Sequence, residues 1–473
     1  MSRTDELCFL SAVEMSRLLK SRELSATELM QAHLEQIERI NPGVNAIVTL
    51  RAEAAMDEAR NADAKLARAE KVGPLHGLPI GVKDLFMTAG MRTTYASPIY
   101  ADCVPAEDHL IVERERQAGG IIVGKTNTPE FGAGAQTFNA VFGTTRNPYD
   151  LSKTCGGSSG GSAVALACGM VPLADGSDFG GSLRAPAAWC NVVGIRPSPG
   201  RVPSYPTRLG WSTLSVHGPM ARTVEDLALY MSAIAGPDPR SPISIEQDPS
   251  IFSQSLERDF NNVRIGWSRD LGFLPVDAEV TSLCEAARPV FSDLGIEVVE
   301  AHPDMQGASE IFKILRAEKF AIDRQYELEH HRDKLKQTII DNAEVGLRLH
   351  GLEASHAEAA RTRLWHHVRE FMQTHEFLVW PVNPVPPFDA EQETLMQVGG
   401  VKMETYVDWG ALRHVVSVVG LPSISVPVGF TSDGLPIGLQ ITGRHNQDMA
   451  VLQLAHAFTR ATRHGQRRPP VCA

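Results

Sequence analysis

Apolar residues along the chain alternate between short continuous runs and segments with a helical repeat. Continuous runs bounded by glycine, proline or polar residues are typical of buried strands. These runs predict strands at 78–82, 121–125, 171–174, 263–267, 296–300, 377–382, 423–430 and 435–442. Helical patterns predict helices at 52–70, 108–120, 162–170, 223–235, 277–294 and 447–462. Such alternation is typical of an α/β fold, in which a sheet is covered by helices on both faces.

Two parts of the chain depart from this alternation. Ser11 with Glu14, and Ser25 with Glu28, have the spacing of a capping box, which predicts two helices before residue 43. Residues 307–375 have a helical pattern almost throughout and contain little glycine. We expect this segment to fold over the sheet as a cap within the same domain.

Length and composition bound the class of protein. At about 150 residues per domain, 473 residues would make two or three domains. Hydrophobic residues make up 43% and charged residues 21%, which is an ordinary globular balance. The formal net charge of −11 leaves no basic excess, so we expect no nucleic-acid partner.

The cysteines and the apolar runs indicate a location. Seven widely spaced cysteines with no C-x-x-C pair are typical of reduced, mostly buried thiols. No run of 18 apolar residues and no signal-peptide pattern occurs, so we expect neither a membrane span nor export. The expectation is therefore a cytoplasmic protein.

Two glycine–serine clusters carry the candidate chemistry. CGGSSGGSA (155–163) and GSDFGGSLRAP (176–186) place Ser158 and Ser182 24 residues apart. A serine hydroxyl needs a base to become a nucleophile, and the oxyanion that forms needs backbone N–H donors. Glycines allow the backbone to approach a substrate closely. The backbone N–H groups of Phe179, Gly180, Gly181 and Ser182 are the candidate donors.

Other interpretations of these clusters are weaker. Residues 156–160 fit G-x-S-x-G, the motif of a nucleophile elbow, which needs a strand directly before it and a helix directly after it. Here 147–155 has the composition of a loop, and the cluster continues rich in glycine. No P-loop lysine follows, and neither H-E-x-x-H nor S-x-x-K occurs. A flexible turn remains the plain interpretation of either cluster taken alone.

Three motifs together give the chain a family resemblance. LHGLPIGVKD (75–84), the first cluster, and GSDFGGSLRAPAAWCNVVGIRPSPGRVP (176–203) resemble the amidase signature family. The resemblance implies that Lys83 is the base, that Ser158 bridges it to Ser182, and that Ser182 is the nucleophile. It also implies a cis peptide bond at Ser158, and neither a metal nor an organic cofactor.

The same resemblance implies one α/β/α domain over residues 1–473, with a large mixed, twisted sheet and a signature core at about 75–205. This replaces the two or three domains expected from length. Lys83 ends an apolar run, so burial should lower its pKa toward that of a working base. We expect Ser159 and Ser162 to be structural, bonding the loop to itself, and Asp178 and Arg184 to hold the nucleophile loop.

Substrate preference is expected to come from segments beside these motifs. Many family members carry threonine where this chain has Phe179. Ala133 and Gly134 lie where the resemblance places a pocket-lining loop, and Tyr406 and Trp409 could form an apolar wall. Together with the loop at 201–215 and the cap at 307–375, these residues predict a roomy apolar pocket.

The sequence therefore predicts an amidase that hydrolyses a hydrophobic or aryl amide through an acyl-enzyme on Ser182. Three alternatives stay open: a carbamate (urethane) or aryl ester hydrolase, an A-type component of glutamyl-tRNA amidotransferase, and a non-catalytic binding protein. The expected partner is a small-molecule amide, carbamate or ester, with a homodimer as an open alternative.

Overall fold

The computed structural model describes residues 3–472. This part of the chain contains fifteen α-helices, and the side chains of Ser11, Ser25, Thr223 and Asp277 cap the first turns of four of them. They are α1 Arg3–Cys8, α2 Ala12–Ser21, α3 Ala26–Val44, α4 Ala52–Ala67, α5 Leu110–Gln117, α6 Gly160–Ala167, α7 Arg184–Trp189, α8 Val224–Ile234, α9 Ala278–Asp293, α10 Ala308–Asp323, α11 Gln325–His330, α12 Gln337–Arg348, α13 Glu353–Thr374, α14 Ala411–Val419 and α15 Asp448–Thr462.

Seventeen strands are present in the same residues. They are β1 Ile47–Leu50, β2 Pro79–Lys83, β3 Ile121–Thr126, β4 Phe138–Asn139, β5 Gly143–Thr144, β6 Arg146–Asn147, β7 Asp150–Thr154, β8 Leu173–Asp178, β9 Val193–Arg196, β10 Val216–Ala221, β11 Arg264–Trp267, β12 Glu297–Glu300, β13 Phe377–Pro381, β14 Gln397–Val398, β15 Val401–Lys402, β16 Ser423–Phe430 and β17 Pro436–Gly443.

Eleven of these strands form one mixed sheet in the order β1-β3-β2-β8-β10-β9-β16-β17-β13-β11-β12. Strand β2 pairs in parallel with β3 and β8, while β10 pairs antiparallel with β8 and β9. The sheet takes strands from residue 47 to residue 443, so the division into two or three domains expected from length is not seen in it. The boundary of one domain at residues 1 and 473 stays a prediction.

Helices cover both faces of the sheet, as strand β13 shows. Its side chains alternate: Phe377 and Val379 pack in one hydrophobic cluster, and Leu378 and Trp380 pack in another. Because successive side chains of a strand point to opposite faces, the two clusters lie on opposite sides of the sheet. The first cluster includes helices α3, α6, α8 and α15, and the second includes α10, α13 and α14. The predicted α/β architecture is confirmed.

Ser11 and Ser25 both cap helices, as predicted, although only Ser25 forms a complete capping box, and most apolar runs were predicted correctly. Ser25 accepts a hydrogen bond from the backbone of Glu28, whose side chain bonds back to Ser25. Segment 307–375 folds into α10 to α13 with short connections. Strands β1, β9 and β10 were not predicted. β10 contains Gly218 and Pro219, which are turn signals in isolation but here lie inside the sheet.

The segment before the first glycine–serine cluster corrects one prediction. Residues 147–155, expected as a loop, include strand β7, which pairs with β6 in a separate two-stranded sheet. Helix α6 begins at Gly160, soon after Ser158. The two reasons given against a nucleophile elbow were therefore wrong. However, β7 lies outside the central sheet, and it is Ser182 that follows a central strand.

Two global expectations concern thiols and membranes. Five of the seven cysteines are buried, and Cys103 and Cys472 are partly exposed. Among residues 3–472, no helix combines the length and the apolar character that crossing a membrane requires.

Candidate active site

Lys83 is the last residue of β2, a strand buried along its whole length. Its backbone N–H donates to Asp175 Oδ1 at 2.6 Å, which ties the strand end to the neighbouring β8. Its ammonium Nζ donates to three serine hydroxyls: Ser158 at 2.7 Å, Ser159 at 2.9 Å and Ser177 at 3.0 Å. The lysine therefore meets hydroxyl groups and no carboxylate from residues 3–472 at its charged end.

Burial changes the acidity of this lysine. Removal from water disfavours the charged form and lowers the pKa of Lys83 to about 7, against the opposing effect of Asp175 and Asp178. An amine with such a pKa is partly unprotonated at neutral pH. It is therefore able to accept a proton from a hydroxyl that it contacts.

Ser158 lies in the loop between β7 and α6. The Gly157–Ser158 peptide bond is cis. The loop is held tightly, because a Cβ atom on Gly157 would lie 2.9 Å from the backbone of Gln136. The Ser159 backbone N–H donates to the carbonyl of Ser182 at 3.2 Å, so the two glycine–serine clusters are bonded to each other.

Ser182 lies on the turn between β8 and α7, which a buried carboxylate organises. Asp178 accepts hydrogen bonds from the backbone N–H groups of Gly181 at 2.9 Å and Leu183 at 3.2 Å. It also forms ion pairs with Arg184 and Arg196, and all three side chains are fully buried. Burial raises the pKa of Asp178, but the two arginines outweigh burial and hold it below its usual range.

The turn also decides which backbone donors are available. The N–H of Gly181 is already bonded to Asp178. The N–H groups of Phe179, Gly180 and Ser182 have no hydrogen-bond acceptor among the described residues. The Ser182 hydroxyl likewise forms no hydrogen bond within residues 3–472, so it has no direct bond to Ser158 in this state. Nucleophile-to-base hydrogen bonds are often longer without substrate.

A cavity of about 270 Å³ opens beside Ser158, Ser177 and Ser182. Its wall includes the predicted loop at 201–215 and residues of α10 from the predicted cap at 307–375. A larger cavity of about 500 Å³ lies beside Tyr149 and Arg222, and neither Lys83 nor the serine pair lines it.

The four residues predicted to line the pocket do not lie on the wall of the 270 Å³ cavity beside Ser182. Ala133 packs in a cluster with Phe320, and Gly134 lies against Pro129. Tyr406 uses its hydroxyl to bind Arg316 and Asn342.

Trp409 is 4% exposed and stacks on Trp189 with ring centroids 6.0 Å apart. It is thus a core residue. The adjacent loop residues Phe131 and Gly132 line the cavity in place of Ala133 and Gly134. The wall of the 270 Å³ cavity combines apolar side chains with serines, histidines and charged residues, and the roomy apolar pocket stays a prediction.

Comparison with known proteins now decides the family. The family model described as Amidase matches residues 28–452. The chain belongs to the amidase family. It is 36% identical over 468 residues to the acylamidase of Rhodococcus erythropolis, and the match covers 98% of each chain.

Two further relatives span nearly the whole amidase. The A component of the glutamyl-tRNA(Gln) amidotransferase of Carboxydothermus hydrogenoformans is 34% identical, covering 98% of this chain and 99% of the relative. The crystal structure of a bacterial aryl acylamidase of the amidase signature family superimposes with a TM-score of 0.90 at 28% identity, covering 97% and 98% of the two chains. The protein is therefore an amidase, a hydrolase of carbon–nitrogen bonds other than peptide bonds.

The structure of the amidase adds polar residues that the motif did not indicate. Ser159, expected to bond its own loop, instead accepts a hydrogen bond from Lys83, as Ser177 does. Ser162 bonds to Thr126 and to the carbonyl of Asp175 on the neighbouring strands. If the predicted strand at 171–174 is extended to residue 178, the alternation of side chains along it places Ser177 on the same face of the strand as Asp175.

Two histidines also line the cavity. His109 and His217 pack edge-on at 4.8 Å, and both contact the ring of Phe86. Burial, aided by the charge of Lys83, lowers the pKa of His217 to about 3, so it is neutral at physiological pH. No local sequence pattern indicates this pair of histidines, because they are far apart in the chain and meet only in the tertiary structure.

Within the described chain, no group of three or more histidine, cysteine, aspartate or glutamate side chains is arranged to hold a metal ion.

Proposed function

We propose that this amidase acts through an acyl-enzyme on Ser182, with Lys83 as the base and Ser158 as the bridging hydroxyl. The observation that carries the proposal is the contact between the buried, low-pKa Lys83 and Ser158 at 2.7 Å. Ser182 lies on the same cavity and follows a central strand through a turn fixed by Asp178. This arrangement supplies a base, a bridge and a nucleophile in sequence.

The proposed reaction has two halves. Ser182 Oγ attacks the amide carbonyl carbon while its proton passes to Ser158, whose own proton passes to neutral Lys83. The C–N bond breaks, and the leaving amine takes the proton back through the same relay. Water then attacks the ester on Ser182, assisted by the same groups, and releases the carboxylic acid and the free serine.

The negative oxygen of the tetrahedral intermediate needs donors that are not already occupied. We propose that the N–H groups of Phe179, Gly180 and Ser182 serve this role, because none of them has a protein acceptor in the described part of the chain. The N–H of Gly181, predicted with them, is bonded to Asp178 and instead holds the turn in shape.

We propose amides with an aryl or apolar group as the preferred substrates. Aromatic side chains on the cavity wall support this proposal, although they are not the predicted ones; they are Phe86, Phe131, Phe179 and Phe320. A volume of about 270 Å³ suits a small molecule, and the relatives named for acylamidase and aryl acylamidase activity agree with such a substrate.

The test is a substrate panel with a covalent probe. Purified protein is assayed with anilides, aliphatic amides, carbamates, nitrophenyl esters and glutamine, and Ser182 is mapped by mass spectrometry after sulfonylation. Hydrolysis of anilides with the adduct on Ser182 is expected. An adduct on Ser158 with an active Ser182→Ala variant would contradict the assigned roles.

The same panel separates the alternatives. A higher kcat/KM for carbamates or esters than for amides would show that the enzyme prefers to cleave a carbamate or ester bond. The same residues would then have the same roles. The similarity to the A component of amidotransferases favours glutamine as a second candidate substrate. Glutamine hydrolysis that requires the other amidotransferase components would support that candidate.

A further inference from the structure

Arg316 of helix α10 lies on the wall of the cavity that holds Ser158 and Ser182. The side chain is only 8% exposed. Its guanidinium packs among aromatic rings, at 4.3 Å from the ring centroid of Phe320 and 5.6 Å from that of Phe179. The guanidinium is therefore held in position by the aromatic rings around it.

The hydrogen-bond partners of Arg316 are all neutral. Nε donates to Asn342 Oδ1 at 3.2 Å, and Nη2 donates to Tyr406 Oη at 2.8 Å. Nη1 has no acceptor among residues 3–472, and none of their carboxylates forms an ion pair with this guanidinium. A buried charge without a counterion is costly, and buried charges in proteins are usually paired, so this guanidinium favours an anion beside it.

The other charged residues of the cavity wall are different. Lys319 forms an ion pair with Asp323 at 2.5 Å. Arg324 forms an ion pair with Glu327 at 3.1 Å. These charges are compensated within the protein, which leaves the charge of Arg316 to be met by a molecule in the cavity.

We propose that Nη1 of Arg316 binds a carboxylate carried by the substrate, in addition to the amide that is cleaved. A guanidinium offers planar donors that match a carboxylate, and a charge-assisted hydrogen bond is stronger than a neutral one. Phe179 connects this subsite to the reaction, because its ring packs on Arg316 while its backbone belongs to the turn that carries Ser182. The inference rests on the proposed function and narrows its substrate class to amides bearing an acidic group.

The experiment compares matched anionic and neutral substrates. One pair places the carboxylate in the amine half, as 4-acetamidobenzoate against acetanilide. A second pair places it in the acyl half, as N-phenylsuccinamate against butyranilide. In the wild-type enzyme, kcat/KM for the anionic member of at least one pair should exceed its neutral partner by about tenfold to hundredfold.

The variant Arg316→Gln should abolish this preference while hydrolysis of the neutral substrates persists. Arg324→Gln, on the same wall but with a paired arginine, should reduce the preference much less. Arg316→Lys keeps the charge and loses the planar fork, so it should retain only part of the preference.

The outcomes separate this inference from the proposed function. Equal kcat/KM values within both pairs, or a preference that survives in Arg316→Gln, would overturn the carboxylate subsite. Labelling of Ser182 by phenylmethylsulfonyl fluoride reports whether the variant site is intact. If Arg316→Gln is not labelled, its active site is not intact, and the preference for anionic substrates is then measured in Arg316→Lys. A preference equal to that of the wild type in Arg316→Lys would overturn the carboxylate subsite. A wild-type enzyme that is neither labelled on Ser182 nor able to hydrolyse any amide would instead refute the proposed function.

Discussion

Two buried lysines on neighbouring strands have very different surroundings. Lys83 ends β2 and Lys125 lies in β3, where Lys83 pairs with Thr126 and Lys125 pairs with Val82. Because side chains alternate along a strand, the two lysines leave the sheet on opposite faces. Lys83 donates to three serine hydroxyls. Lys125 donates to the carbonyl of Phe86 and the hydroxyl of Thr88.

A low pKa does not by itself mark a lysine as a catalytic base. Burial lowers the pKa of Lys83 to about 7 and that of Lys125 to about 8. The acidic groups that counter this effect at Lys125 include Asp84, Asp175 and Glu115. What distinguishes Lys83 is its hydroxyl partner Ser158, which lines a cavity, as the proposed proton path requires.

The largest expected effect is the loss of activity when Lys83 is replaced. Lys83→Met should reduce kcat by about 10²- to 10⁴-fold, because a general base typically contributes that much. The same exchange at the other lysine, Lys125→Met, should leave kcat per folded enzyme close to the wild-type value. Steady-state kinetics on both variants test this. Equal losses in the two would show that the proton path does not depend on Lys83.

The second prediction concerns the free energy of unfolding. Lys125→Met should lower it by about 1–3 kcal/mol, because the buried carbonyl of Phe86 loses its donor and the buried Asp84 loses its neighbouring cation. Lys83→Met should lower it less, since the Lys83 ammonium contacts only neutral hydroxyls. Urea unfolding of the two variants measures the difference. A greater loss in Lys83→Met would contradict the assignment of Lys125 as the structural lysine.

The third prediction is a pH dependence of activity. The base must be unprotonated, so kcat/KM should fall about tenfold per pH unit below the Lys83 pKa of about 7. Asp175 raises the pKa of Lys83, so Asp175→Asn should shift this acid limb to lower pH.

Asp175 itself has a pKa that burial raises to about 7. If protonation of Asp175 caused the acid limb, Asp175→Asn would abolish the limb instead of shifting it. pH profiles of kcat/KM for the wild type and this variant distinguish the two causes.

The smallest expected effect sharpens the description of the Lys83 contacts. Ser159→Ala removes one of three acceptors for the ammonium and should reduce kcat by about twofold to tenfold. Ser162→Ala is the matched control, because Ser162 lies on the same segment but bonds to Thr126 and Asp175. A kcat unchanged in Ser159→Ala would return Ser159 to the purely structural role predicted from the sequence.

Local patterns in the sequence predicted most of the fold. Continuous apolar runs located β2, β3, β13, β16 and β17, because a strand buried on both faces needs apolar residues at every position. Strand β10 was missed because Gly218 and Pro219 interrupt its pattern. Gly218 is needed there since a Cβ atom would lie 2.7 Å from the carbonyl of Ile195 on the adjacent strand. Only pairing with that strand explains the residue.

The cavity beside Ser158 and Ser182 was the least predictable part of the structure. The segments 201–215 and 307–375 were correctly expected beside the site, because they are long and follow the motifs. The individual residues Tyr406 and Trp409 were not, since aromatic side chains serve a core as often as a pocket. Arg316 carries no local signal at all, because its role depends on which carboxylates lie near it in space.

The family, the α/β class and the candidate residues Lys83, Ser158 and Ser182 could all be predicted from the sequence, because they depend on short motifs and on local hydrophobic periodicity. Tertiary structure alone decided which lysine meets hydroxyls, which backbone donors stay unoccupied and which arginine lacks a counterion. Those properties depend on burial and on contacts between residues far apart in the chain. The free energy of a charge is set by what surrounds it, and only the folded chain supplies those surroundings.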